Sequence, residues 1–208
     1  MAVKSLKNNK SPSFDQITNE MLKVAFPVIG KQLLCMFNSV LLTCTVPSLW
    51  KDNILTPIHK SGPLDDPNNY RGIAVGSCVY KLFSKLLNTR LYQKANLECM
   101  VSEQQGSGKK GSRTADHLLV FKFLIDKYVN TKGAKLFTCF IDLKKCFDKI
   151  PRLLLFSTLL KDYSIGGNFL KLLMEIYSKN RLFVKVSGGL CTPFETTTGV
   201  LQENVKSP

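Results

Sequence analysis

Acidic residues are scarce in this sequence. Its 208 residues include 15 Asp and Glu against 29 Lys and Arg, which gives a formal net charge of +14. An excess of positive charge on this scale indicates a polyanionic partner, and nucleic acid is the commonest one. An anionic membrane surface is the weaker alternative, because no predicted helix combines a basic face with an apolar one.

Cysteine pairs at metal-binding spacing are also missing. The seven cysteines form no Cys-x-x-Cys pair, and their odd number argues against a disulfide framework. Most lie within apolar runs, so we predict buried thiols in a reducing compartment. Residues 1–10 are polar and basic, unlike a signal peptide, and no apolar run approaches the roughly 18 residues of a membrane helix. We therefore expect an intracellular protein without a transmembrane segment or a membrane partner.

One apolar run, residues 136–141, ends abruptly at Asp142. Such a short run predicts a strand that is buried on both faces. A carboxylate at the end of a buried strand is well placed to bind a divalent cation such as Mg²⁺, which prefers oxygen ligands. Asp is equally favoured as the cap of a helical turn. This stretch alone does not decide between a metal ligand and a cap.

Residues 53–75 predict a hairpin. Residues 53–58 form the first strand, with Pro57 indicating a sheet edge, and residues 70–75 form the second, after a turn rich in Pro, Asp and Asn. Lys60 and Arg71 lie near the two ends of the turn. Arg as a bidentate fork and Lys as a point charge could hold a triphosphate. Two solvated surface cations are the alternative reading.

Helical periodicity accounts for most of the rest of the chain. Thr18 is expected to cap a helix that begins at residue 19, and Pro27 to lie in the first turn of a second helix, residues 28–42. Further helices are predicted at residues 77–96, 115–128, 151–160 and 168–178, and a second hairpin at residues 181–198. The mixture predicts the α/β (α+β) fold class.

Five ordered segments resemble the reverse transcriptase domain of non-LTR (LINE-like) retrotransposons. They are Lys-Ser-Pro-Ser-Phe-Asp-Gln-Ile at residues 10–17, Trp-Lys-Asp-Asn-Ile-Leu-Thr-Pro-Ile-His-Lys at 50–60, Asp-Pro-Asn-Asn-Tyr-Arg-Gly-Ile at 66–73, Gln-Gln-Gly-Ser-Gly-Lys-Lys-Gly-Ser-Arg-Thr at 104–114, and Phe-Ile-Asp-Leu-Lys-Lys-Cys-Phe-Asp at 140–148. The last ten residues resemble a further family block, although Leu201, Glu203 and Asn204 depart from it.

The resemblance implies a right-hand polymerase, of which this chain would hold the fingers and the first part of the palm. On that basis we expect a basic arm at residues 1–18, a fingers-like region at 19–134 and a partial palm at 135–208. The implied partners are an RNA template, a DNA primer and deoxynucleotide triphosphates.

The resemblance also implies roles for individual residues. Asp142 would be catalytic and would bind Mg²⁺ together with the backbone carbonyl of Leu143. The implied nucleotide-binding residues are Lys60, Arg71, Phe147 and Gln202, and the implied template contacts are Lys109, Lys110 and Arg113.

The second carboxylate block of the family, an aromatic-Ala-Asp-Asp hairpin, is expected only after residue 208. With one of three metal carboxylates, we expect two-metal nucleotidyl transfer to fail in these 208 residues. The alternative function is a non-catalytic remnant that binds RNA or DNA, or another protein.

Overall fold

The computed structural model describes residues 2–98, 100, 102, 104–106 and 111–200. The chain divides into two compact units. The first unit comprises Met1–Arg90 and Lys145–Pro208, and the second comprises Leu91–Lys144. The described residues form five helices and a mixed sheet of five strands, so the predicted α/β (α+β) class is confirmed.

The described helices are α1 (Asn19–Thr43), α2 (Cys78–Leu97), α3 (Thr114–Val129), α4 (Arg152–Lys161) and α5 (Gly167–Tyr177). The strands are β1 (Asp52–His59), β2 (Tyr70–Val75), β3 (Arg181–Val186), β4 (Gly189–Leu190) and β5 (Phe194–Glu195). The first hairpin and the helices predicted near residues 77–96, 115–128, 151–160 and 168–178 are confirmed, with ends shifted by one or two residues.

Strand β1 lies inside the sheet of the first unit. It pairs antiparallel with β2, from Ile54 opposite Val75 to His59 opposite Tyr70, and it pairs parallel with β3 through residues 52–55. The prediction that Pro57 marks an edge strand is therefore wrong for β1 as a whole. Pro57 is tolerated because β3 pairs with β1 only as far as Leu55, so the side of β1 away from β2 needs no donor at Pro57.

Helix α1 begins where the sequence predicts and does not stop at Pro27. The side-chain oxygen of Thr18 accepts a hydrogen bond from the Met21 backbone N–H at 3.2 Å, as an N-cap does. The predicted break is wrong, because one helix of 25 residues runs through Pro27. The proline removes one intrahelical donor, whereas the continuous helix keeps Phe26, directly before the proline, and Phe37 packed in the same core.

An aromatic cluster forms the centre of the core in the first unit. The Trp50 ring centroid lies 5.3 Å from that of Phe83, 5.7 Å from Tyr80 and 6.2 Å from Phe37. All four rings are buried. The cluster packs α1, α2 and the turn before β1 against one another, and it therefore sets the position of the hairpin.

By length and composition alone, helix α1 could cross a membrane, which qualifies the sequence expectation that no apolar run approaches this limit. A single helix of this kind is weak evidence for a membrane span, because core helices of water-soluble proteins share its length and composition. Helix α1 buries Leu22, Phe37 and Val40, while Val24, Val28 and Leu42 are exposed.

Residues 136–141 do not form the predicted buried strand. The segment has no regular secondary structure, and Phe137 and Ile141 are 89% and 85% exposed. Backbone N–H and C=O groups of a strand need a neighbouring strand, and the five strands of the described chain pair only with one another. In the second unit the run instead contacts α3 edge-on through the Phe121 and Phe140 rings, whose centroids lie 5.6 Å apart.

The prediction of mostly buried cysteines is also wrong. Of the six cysteines in the described part of the chain, only Cys78 is buried, and Cys44 is half-buried. The four exposed thiols are Cys35, Cys139, Cys146 and Cys191. Cys139 is exposed because the apolar run around it is not packed into a sheet.

Candidate functional site

The turn of the first hairpin is held by side chains. The Asn69 amide donates to the Pro63 carbonyl at 2.9 Å, and the Tyr70 hydroxyl donates to the Leu64 carbonyl at 2.8 Å. The Asp66 carboxylate accepts from the Asn68 backbone N–H at 2.8 Å. Gly62 has φ +87°, and a Cβ there would lie 2.6 Å from the Asn69 amide nitrogen. The turn is therefore a defined support for the residues at its two ends.

Lys60 and Arg71 lie on the same face of this hairpin. The Lys60 N–H donates to the Asn69 carbonyl at 2.9 Å, and Arg71 is paired with Ile58. Residues two apart on a strand share a face, and so do residues directly opposite each other. Lys60 and Arg71 are thus diagonal neighbours, and both are exposed. Two cations in this arrangement suit a phosphate-bearing ligand.

The segment that carries Phe147 lies at the tip of the hairpin. Lys145 donates from Nζ to Oδ1 of Asn68 at 3.2 Å. Phe147 begins a short 3₁₀ turn, Phe147–Lys149, and its ring is 48% exposed. The Phe147 carbonyl accepts from the Val200 N–H at 2.9 Å. The structure therefore brings Phe147 into the same unit as Lys60 and Arg71, whereas Gln202 lies outside the described residues.

A buried arginine that the sequence analysis missed holds residues 196–199. Arg152, the first residue of α4, is 9% exposed. Its guanidinium donates to the carbonyls of Thr196 (2.5 Å), Gly199 (2.8 Å), Tyr177 (2.9 Å) and Thr198 (3.1 Å) and to the Thr196 hydroxyl (2.8 Å). Burial lowers the pKa of the Arg152 guanidinium from its ordinary value, but arginine stays protonated in proteins.

Gly199 lets this segment approach the turn that follows Phe147. Its φ is +76°, and a Cβ there would lie 2.6 Å from the Asp148 carbonyl oxygen. The Gly199 N–H donates to the Ile150 carbonyl at 2.9 Å. A cavity of about 330 Å³ lies next to this contact and is lined by Gly72, Asp148 and Arg152 among others. Arg152 and Gly199 together fix one wall of that cavity.

Asp142, Leu143 and Arg113 belong to the second unit. Arg113 precedes α3, and its backbone N–H donates to the Asp116 carboxylate at 2.9 Å. Lys109 and Lys110, the other two predicted template contacts, lie outside the described residues. Asp142 and Leu143 are both exposed and directly follow the apolar run of residues 136–141.

The carboxylate set of the described residues does not fit a metal site with two ions. Within residues 2–98 and 111–200 and the few described between them, no group of three or more His, Cys, Asp or Glu side chains could hold a metal ion. Asp142 offers one carboxylate, and it is not supported by a strand. A hard cation needs several oxygen ligands, so the described residues alone do not complete a two-ion site around Asp142.

Comparison with known proteins gives one family match and several relatives. Residues 58–205 match the family described as reverse transcriptase (RNA-dependent DNA polymerase). An uncharacterized 149 kDa protein of transposon TX1 from Xenopus laevis is 25% identical to this chain over 97% of its length. A probable RNA-directed DNA polymerase from transposon BS of Drosophila melanogaster is 27% identical over the whole chain. A Pol polyprotein of the type-1 retrotransposable element R2 from Popillia japonica is 29% identical over 50% of the chain.

This chain spans only 15%, 23% and 14% of the lengths of those three relatives, respectively. The family match covers well over half of the chain and includes the hairpin turn, Arg71, Asp142 and Phe147. Members of a family of RNA-dependent DNA polymerases generally use a divalent metal, a nucleic acid template and nucleotide substrates. The chain therefore belongs to the reverse transcriptase (RNA-dependent DNA polymerase) family, in the branch encoded by non-LTR retrotransposons.

Proposed function

We propose that this chain supplies the fingers and the beginning of the palm of an RNA-directed DNA polymerase, and that its described part binds nucleic acid and nucleotide phosphates. The observation that carries the proposal is the placement of Lys60 and Arg71 on one face of an ordered hairpin, at the site where the family match begins. The formal net charge of +14 supports a polyanionic partner.

The division into an arm at residues 1–18, fingers at 19–134 and partial palm at 135–208 remains part of this proposal. So do the RNA template, the DNA primer, Mg²⁺ as the metal, and an intracellular location. Lys60 and Arg71 would hold the triphosphate, Phe147 and Gln202 would contact the nucleotide, and Lys109, Lys110 and Arg113 would contact the template.

A non-catalytic binding function is the second candidate. It is favoured by one observation: the described residues hold no group of three or more side chains that could bind a metal ion. Both candidate functions predict that the hairpin binds phosphate, and they differ only in whether nucleotidyl transfer follows. Nucleotide binding is therefore the property to test first.

Lys60→Gln combined with Arg71→Gln is expected to weaken the affinity for deoxythymidine triphosphate at least about tenfold, because one or two charge-assisted contacts are lost. Isothermal titration calorimetry at low ionic strength measures it. The matched control is Lys31→Gln combined with Lys161→Gln, two exposed lysines on α1 and α4 that change the net charge equally. Equal weakening in both double variants would contradict a specific role for the hairpin.

A further inference from the structure

The turn that carries Phe147 depends on contacts outside itself. Lys145, two residues earlier, has φ +53°, a left-handed backbone conformation that residues other than glycine rarely adopt. Such a conformation persists where the surrounding structure fixes it. Within the turn, the Asp148 N–H donates to the Lys145 carbonyl at 3.1 Å, and this bond joins residues that are close in sequence. The position of the turn is therefore set by the segments that it contacts.

Two neighbouring segments contact this turn. On one side, the Lys145 Nζ donates to an Asn side chain at the tip of the first hairpin at 3.2 Å, and this pair is exposed. On the other side, the Val200 N–H donates to the Phe147 carbonyl and the Gly199 N–H donates to the Ile150 carbonyl, each at 2.9 Å. Water competes for the exposed side-chain contact, so the two backbone hydrogen bonds from residues 199–200 are the firmer support.

Residues 196–199 are in turn held by Arg152. They follow β5 and belong to no helix or strand. The guanidinium of arginine has a fixed set of N–H donors, and each of those of Arg152 has a partner. The partners are the carbonyls of Thr196, Thr198 and Gly199, the Thr196 hydroxyl, and the carbonyl of the last residue of α5.

The engagement of these donors decides how Arg152 can act. An arginine that binds a phosphate directly needs N–H groups directed at the ligand. Arg152 has none to spare in this arrangement, and it is 9% exposed. It therefore acts on a ligand through the segment that it holds.

We propose that Arg152 is a positioning residue for nucleotide binding, and that it acts by holding residues 196–200 against the turn that carries Phe147. This role rests on the proposed function, in which Phe147 contacts the nucleotide. The Phe147 ring is 48% exposed, so the backbone of its turn sets its position more than packing around the ring does. Loss of the Arg152 contacts then moves the ring without removing a phosphate ligand.

A fluorine reporter tests the structural part of this role. Phe147 is replaced by 4-trifluoromethylphenylalanine in the 208-residue chain, and its fluorine NMR resonance is recorded. Arg152→Lys reduces the number of donors, and Gly199→Ala places a methyl group 2.6 Å from the Asp148 carbonyl oxygen. Both variants are expected to shift or broaden the resonance, because each disturbs the same link from one of its two ends.

Matched controls come from the same unit. Arg90→Lys changes an exposed arginine on α2. Gly188→Ala adds a methyl group where no described atom beyond the chain neighbours lies within 4 Å. Both controls should leave the resonance in place. Unchanged resonances for Arg152→Lys and Gly199→Ala, or equal changes in the controls, would overturn the positioning role.

Calorimetry with deoxythymidine triphosphate tests the functional part of the role. Arg152→Lys and Gly199→Ala are expected to raise the Kd about fivefold, on the scale of substitutions that act on a ligand indirectly. A loss of stability alone raises the apparent Kd only in proportion to the unfolded fraction, which circular dichroism measures at the titration temperature. A Kd that equals that of the unmodified chain after this correction would contradict a positioning role.

Failure of this role and failure of the proposed function give different results. If the unmodified chain binds deoxythymidine triphosphate and both variants bind it equally well, the proposed function stands and the positioning role is wrong. If the unmodified chain does not bind the nucleotide, the proposed function fails, and the positioning role fails with it.

Discussion

Arg152→Met is expected to lower the free energy of unfolding by about 3–5 kcal/mol. The substitution leaves the carbonyls of Tyr177, Thr196, Thr198 and Gly199 without the donor that satisfies them. These groups lie around a side chain that is 9% exposed, so water does not replace the arginine without rearrangement of residues 196–199. Urea denaturation followed by far-UV circular dichroism measures the loss.

Arg181→Met provides the matched control for Arg152. Arg181 makes two hydrogen bonds, to the Asp52 carboxylate at 2.7 Å each, and its side chain is 46% exposed whereas that of Asp52 is 13% exposed. Because water screens the exposed guanidinium and can solvate the one carboxylate that loses its partner, the control is expected to cost much less than Arg152→Met. Similar losses for the two arginines would show that the buried carbonyl contacts of Arg152 do not stabilise the fold as argued. The loss of unfolding free energy for Arg152→Lys should lie between those for Arg152→Met and Arg181→Met, because lysine has fewer donors than arginine and lacks its planar guanidinium.

Trp50→Ala is expected to cost about 3–5 kcal/mol of unfolding free energy. Trp50 is buried against Phe37, Tyr80 and Phe83, and its removal opens a cavity where α1, α2 and the turn before β1 meet. Thermal unfolding monitored by circular dichroism measures the loss. Trp50→Phe keeps part of the ring contacts and should cost less.

Leu153→Ala is the surface control for Trp50. Its side chain is 81% exposed, so its truncation should change stability by no more than about 0.5 kcal/mol. A Trp50→Ala protein as stable as the Leu153→Ala protein would contradict the placement of the core around the aromatic cluster.

Local signals in the sequence were sufficient to predict the first hairpin and α2. The Pro, Asp and Asn residues of the turn act within a few residues of one another, and the apolar stripe of α2 follows helical spacing. Leu82, Phe83 and Leu87 of that stripe are buried, whereas Leu86 is 37% exposed. These elements depend on short-range rules, and tertiary contacts did not override them.

The wrong predictions concern segments whose structure is decided by tertiary contacts. Residues 136–141 have the composition of a buried strand, but composition does not supply the neighbouring strand that burial requires. Pro27 has the local preference of a helix start, and the core that Phe26 and Phe37 share keeps α1 continuous instead. Each outcome depends on residues that are remote in sequence.

Two features of the candidate site were also out of reach of sequence reasoning. Arginine is usually exposed, so nothing marks Arg152 as buried until residues 177–199 close around it. The cavity of about 330 Å³ needs Gly72 of the hairpin and Gly199, which are more than 100 residues apart in the sequence, on one concave surface. By contrast, Lys60 and Arg71 were named from the sequence, and the strand register adds that they share a face.

The most direct test of the central claim is the affinity of the 208-residue chain for a single-stranded oligoribonucleotide over a series of potassium chloride concentrations. A protein that binds nucleic acid through its basic surface should lose affinity linearly on a log–log plot, with a slope steeper than about −2, which corresponds to at least three phosphate contacts. Such a slope is the result that we predict. No binding at low salt, or an affinity that does not change with salt, would contradict the account.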